Sequence, residues 1–193
     1  MTEDIIMLSL QQAQDLINKN IMTDTIKMHI HEVEVIMRAV AHELRENEED
    51  WGILGLIHDL DYEKEKENPK QHTLTTEKML LEADPDFPPE YLYAIKAHNE
   101  ENTGVLRKSK FDYALMASDN LSGMIYATAL VYPDKKISSV KVSSVLKKMK
   151  APAFAARVNR QAIYDIEKVG IKLERFVELG IKAMAEIENE LGL

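Results

Sequence analysis

The chain has 193 residues, 45% of them apolar and none cysteine, with a formal net charge of −9. That length and composition suffice for one domain with a real core, and the missing thiols exclude disulfide staples and thiolate metal sites. The acidic balance argues against a general nucleic-acid binder, because phosphate backbones favour basic surfaces.

The start, Met1-Thr2-Glu3-Asp4, is acidic and lacks the basic n-region of a signal peptide. No apolar run approaches the roughly 20 residues of a membrane helix, so the chain reads as cytoplasmic, with no membrane partner. Helical spacing dominates and no strand alternation stands out. A first helix is expected over 8–19 and a second over 25–45, where Ile26, Val33, Met37, Val40 and Leu44 form an apolar stripe. Trp51 opens a short apolar helix to His58. Asn68-Pro69 reads as an N-cap followed by proline at the first helical position, starting a helix over 71–82. Pro88-Pro89 begins the next, to His98. A long helix covers 110–131 and stops before Pro133. Three more fit 141–150, 153–169 and 172–191, with Gly170 as a cap between the last two. The fold class is therefore all-α, a single-domain helical bundle. Between 135 and 160 lie eight lysines and arginines and no acid. This stretch is either a solvated face or a local attraction for a phosphate-bearing substrate.

The six histidines fall into two kinds. His29 belongs to the buried stripe of its helix. His31 and His42 share the opposite face with Lys27, Glu34, Arg38 and Arg45, and read as exposed. His58 follows Leu54 by four residues and points along an apolar face. Asp59, directly after it, shares a target with it only if the helix ends there. His72 falls in the first turn of its helix, aligned with Thr76 and Met79, and His98 lies on the apolar side of its own. Asp119 sits mid-helix in an apolar stripe, where a carboxylate needs a cation, hydrogen bonds or a proton. Imidazole and carboxylate bind zinc, iron, manganese and cobalt without thiolates, and a helical bundle can bring such ligands together from facing helices.

The order of these residues resembles the HD superfamily of metal-dependent phosphohydrolases, whose minimal motif is a His, a His-Asp pair and a distant Asp. The matching segments are Met28-His29-Ile30-His31-Glu32-Val33, Leu56-Ile57-His58-Asp59-Leu60-Asp61 and Ala117-Ser118-Asp119-Asn120-Leu121. His31 competes with His29 for the first position; His29 keeps the helical stripe. His72 and His98 match the two extra histidines of the branches that bind a second metal. The resemblance covers about 21–132, leaving 133–193 as a helical extension. The pair is followed by Leu60-Asp61 where the more specific form has Ile-Gly.

The resemblance implies hydrolysis of a phosphomonoester or phosphodiester, such as a nucleotide, by hydroxide generated on one or two divalent transition metals (Fe, Mn, Co or Zn). With two metals, Asp59 bridges, His29, His58 and Asp119 complete the first site, and His72 and His98 the second. Asp59 and Asp61 are the catalytic candidates; Asp61 is either an acid or base behind the ligands or an exposed surface carboxylate. Asn99, Asn120, Lys141, Arg157 and Arg160 are candidates for binding substrate. Two other classes share the residue set: an HD-fold di-iron oxygenase, and a non-catalytic, metal-stabilised module that binds a nucleotide or a partner helix.

Overall fold

A computed structural model describes residues 8–191; the acidic start at Met1–Asp4 lies outside them. All regular structure among the described residues is helical. Helix α1 spans Leu10–Asn20 and opens on a reciprocal cap, in which the Ser9 hydroxyl accepts from Gln12 N–H and the Gln12 side chain accepts from Ser9 N–H. Then come α2 (Asp24–Leu44), α3 (Glu48–Ile57), α4 (Tyr62–Glu65), α5 (Leu74–Ala83), α6 (Pro89–His98) and α7 (Glu100–Thr103). Helix α8 (Lys110–Leu130) runs through the centre, followed by α9 (Val142–Met149), α10 (Arg160–Tyr164) and α11 (Leu173–Glu186), with 3-10 turns at Ile137–Ser139 and Asp165–Val169. No helix among the described residues is long and apolar enough to cross a membrane.

Two long helices organise the rest. Helix α2 packs against α3, α8 and α11, while α8 also meets α6, α9 and α10. One apolar cluster runs from Leu8 through Ile36, Leu54, Ile95, Leu115 and Ile125 to Phe176 and Leu191. The α2–α3 approach is close enough to need glycine: a Cβ on Gly55 would lie 2.8 Å from the Glu34 Cα and 2.9 Å from its N. Those are backbone atoms that cannot swing aside, so the approach sets how near His58, three residues on, stands to α2.

Two expected helices differ. The segment from Asn68 to Thr73 forms turns, and α5 begins at Leu74. Thr73 stands at φ 76°, a left-handed conformation that is costly for a β-branched residue. The capping comes from outside: the Asp61 carboxylate accepts from Thr73 N–H at 2.8 Å and Thr76 N–H at 2.9 Å. Asn68-Pro69 therefore starts no helix, and His72 precedes α5. The helix expected over 153–169 is also broken. Residues 151–158 form turns with Ala155 at φ 43°, and α10 starts at an Asn159 side-chain cap. The Arg160 guanidinium donates to the carbonyls of Ala151, Phe154, Ala155 and Val158. It thereby satisfies acceptors that a continuous helix would have paired internally.

Candidate metal centre

The His58-Asp59 pair lies where α3 stops. Ile57 is the last helical residue, and 58–61 turn before α4. The break lets two adjacent side chains face one point, which a continuous helix forbids. Helix α2 supplies His29, the turn before α5 supplies His72, the end of α6 supplies His98, and mid-α8 supplies Asp119.

Asp59 is the hub. Its Oδ1 lies 3.3 Å from His72 Nε2, 3.3 Å from His98 Nε2 and 3.7 Å from His58 Nε2. Its Oδ2 lies 3.8 Å from His29 Nε2, which is 3.1 Å from Asp119 Oδ1. Ligand atoms of His29, His58 and Asp119 all fall within 4.8 Å of one another, as do those of His58, Asp59 and His98. The structure thus brings together all six residues of the expected set.

Each imidazole is held by its other nitrogen. His58 Nδ1 donates to the Gly55 carbonyl at 2.7 Å and His98 Nδ1 to the Ile95 carbonyl at 2.8 Å. His72 Nδ1 donates to Asp61 Oδ1 at 2.8 Å. The Ser122 hydroxyl gives its proton to the Asp119 carbonyl at 2.8 Å, so it accepts from His29 Nδ1 at 3.3 Å. Each of these partners accepts, so every Nδ1 carries a proton and Nε2, the nitrogen left to take a metal, faces inward. This is how proteins orient imidazoles toward metals.

Electrostatics agree with that geometry. Burial lowers His58 to about 4 and keeps it neutral. Burial alone would raise Asp59, but His58, His98 and His72 hold it well below the usual carboxylate range. Asp119 is likewise lowered against burial, chiefly by its hydrogen bond to His29. Burial would lower His29, yet Asp119 and Asp59 raise it to about 9. His58 Nε2 and Asp59 Oδ1 are buried with no hydrogen-bond partner. These two buried ligand atoms lie 3.7 Å apart and are of the kind that a divalent cation takes.

Asp61 corrects an expectation. It is fully buried, and its two oxygens are taken by His72 and by the Thr73 and Thr76 amides. It is neither a surface carboxylate nor a group facing the cavity; it positions His72. Of the substrate candidates, only Asn99 lines the cavity, and its amide donates to the carbonyls of Pro69 and His72 at 3.0 Å, bracing the His72 turn. The Asn120 amide donates to the Met116 carbonyl at 3.0 Å and to Asp119 Oδ2 at 3.3 Å, and its oxygen accepts from Asn159 N–H, so it braces Asp119 from outside the cavity lining. Arg160 is spent on the four carbonyls already described. Lys141 occupies the N-cap position of α9 and Arg157 is exposed on the 151–158 turn; neither lines the cavity.

Glu32, Tyr62 and Tyr126 also line it. Glu32 follows His29 by three residues on the same helical face, a spacing that could have flagged it. Burial pushes its carboxyl up to about 7 against the pull of His29 and Ser122. Tyr126 follows Asp119 by two turns.

Comparison with protein-family models, curated proteins and solved structures found no match.

Proposed function

We propose that the protein is a metal-dependent hydrolase of phosphate esters, with two divalent transition metals held by His29, His58, Asp59, Asp119, His72 and His98. One observation carries the reading: four imidazoles, each pinned through Nδ1, aim Nε2 at two carboxylates, and the buried His58 Nε2 and Asp59 Oδ1 have no partner. The order of the residues along the chain, which resembles HD phosphohydrolases, supports the same chemistry. Bound there, the cations supply Lewis acidity toward a phosphoryl group and acidify a water.

The chain's own groups prepare that chemistry. Burial keeps His58 unprotonated, and the low pKa of Asp59 keeps it anionic, so neither needs to lose a proton to ligate near neutral pH. Asp61, Ser122 and the carbonyls of Gly55 and Ile95 hold the rings in place before anything binds, which lowers the cost of ordering them.

Elemental mass spectrometry tests the reading, on protein purified without chelator or a metal-affinity tag. Close to two iron, manganese, cobalt or zinc atoms per chain are expected, with hydrolysis of simple phosphomonoesters. Asp119→Ala should lose metal and reduce activity to background; retention of both would sink the proposal. A second reading, dioxygen activation by two irons, is favoured by the absence of lysine and arginine from the cavity lining among the described residues. Substrate-dependent oxygen uptake with iron but not with manganese would establish it over hydrolysis.

A further inference from the structure

The cavity in front of the six residues has a volume of about 470 Å³, within the range of sites for one small organic ligand. One end presents His29, Asp59, His72, His98 and Asp119, with Glu32 beside them. The other walls are largely apolar or aromatic, formed by Ile26, Met28, Tyr62 and Tyr126. Tyr62 is 40% exposed, and its ring meets His72 at a centroid distance of 5.7 Å, nearly perpendicular. A large aromatic left open at the mouth of a polar site is suited to a ligand's flat face.

The walls contain no lysine or arginine among the described residues, although the chain has cations to spend. All eight between 135 and 160 lie outside the lining. Arg160 holds backbone carbonyls, and Lys148 Nζ lies 4.3 Å from the Phe154 ring centroid. Sites that hold polyphosphate chains supply guanidinium, ammonium or massed backbone N–H groups along the chain. Here the polar side chains beyond the ligand cluster are those of Glu32, Thr25, Asn99 and the two tyrosines, none of them cationic.

We infer that the substrate carries a single phosphoryl group on an uncharged, flat or apolar remainder no larger than a nucleoside, and that di- and triphosphates are excluded. This rests on the phosphohydrolase reading and narrows it. The phosphoryl group faces the ligand cluster and the remainder lies between Tyr62, Tyr126, Ile26 and Met28. In the reaction, water oxygen bonds to phosphorus, the ester P–O bond breaks, and a proton from that water passes to the departing alcohol or phenol oxygen. No oxidant or further reactant is consumed. Each added phosphate would bring negative charge beyond the ligand cluster, where the lining among the described residues offers it Glu32 and no lysine or arginine.

The test uses the full chain loaded with manganese, free manganese being kept in excess. Calorimetry with two unreactive probes, phenylphosphonate and methylphosphonate, gives a readout independent of turnover. Phenylphosphonate should bind about tenfold tighter. Tyr62→Ala and Tyr126→Ala should each narrow that ratio several-fold, with Tyr62→Phe restoring it. Phenyl phosphate should be cleaved with kcat/KM at least about tenfold above that for ATP, the cost of about one unfavourable charge contact. Equal or better cleavage of ATP, or a phenyl-to-methyl ratio that neither tyrosine variant narrows, would overturn the inference while leaving the hydrolase reading intact. If neither phosphonate binds and no phosphate ester is cleaved, both fall together.

Discussion

The two faces of α2 carry similar residues and put them to different use. On one face His29 and Glu32 look into the cavity with Asp59 and Asp119. On the other, His31 and Glu34 border a cleft of about 980 Å³ together with Lys27 and Glu190. There, the histidine and the carboxylates around it are paired. His31 Nδ1 lies 2.7 Å from Glu34 and its Nε2 3.2 Å from Glu190, and Arg38 reaches Glu34 at 2.8 Å. The hydrogen bond to Glu34 raises His31, and His31 with Arg38 holds Glu34 down against burial. Around the cavity, by contrast, three carboxylates face imidazoles with no arginine or lysine among the described residues, and two buried ligand atoms have no partner. A histidine–carboxylate cluster that closes on itself has no need of a further partner; one that leaves two buried ligand atoms unpaired while its outward nitrogens are fixed could hold a cation.

The difference can be attacked most directly through the support of the ligands. Asp61→Asn removes the charge that orients His72 and weakens the bonds to Thr73 and Thr76. Affinity for the second metal should fall about 10–100-fold, and metal content on dialysis should drop toward one atom per chain. An Asp61→Asn protein that kept both metals tightly would show that His72 needs no such support. Gly55→Ala attacks the frame instead. Its Cβ would meet the Glu34 backbone at 2.8 Å, so α3 must move away from α2 and carry His58 with it. Overpacking of this kind costs about 1–3 kcal/mol, measurable by urea unfolding, and metal binding should weaken in parallel.

Acidity should separate the two faces next. His29 titrates near 9 in the folded protein without a cation, against 6.5 as its ordinary value. A pKa raised on folding means that the bound proton stabilises the metal-free protein fully below about pH 6.5, and that this contribution disappears as the pH rises through about 9. The same proton competes with a cation for Nε2. Metal affinity should therefore climb about tenfold per pH unit across that window for the one proton displaced. Competitive metal titrations and thermal melts of chelator-treated protein read the two trends, and an affinity flat with pH would remove His29 from the ligand set. The smallest effect is expected on the opposite face. His31→Gln breaks half-exposed pairs with Glu34 and Glu190, worth about 0–1 kcal/mol. Metal content and activity should be unchanged; a loss of either would mean that the two faces are not independent.

Much of this was legible in the chain. Apolar spacing placed His29, His98 and Asp119 on the inward faces of α2, α6 and α8, because a 3.6-residue period assigns a side to each residue regardless of its neighbours in space. The need for the helix to end at His58-Asp59 was equally plain, since adjacent residues in a helix diverge. The reading failed where partners came from elsewhere. Asn68-Pro69 carried a helix-start signal, yet the amides of Thr73 and Thr76 are capped by Asp61, 12 and 15 residues away. Arg160 and Asn120 looked free to meet a substrate and are consumed by carbonyls and an amide of the 151–159 turn. Glu32 and Tyr126 share faces with His29 and Asp119, but nothing local separates a cavity wall from ordinary packing.

The sequence by itself determined the all-helical class, the identity of six chemically capable ligands and the helical faces of several of them, since local spacing and residue chemistry suffice for each. Only the tertiary structure decided which ring nitrogen of each candidate ligand histidine is anchored from behind and which faces inward, that Asp61 is buried behind His72, and that the cavity lining takes tyrosines and carboxylates instead of the basic stretch. Those outcomes depend on hydrogen bonds and burial between segments as far apart as His29 and Ser122, 93 positions along the chain, and no local pattern encodes which acceptor will be waiting there.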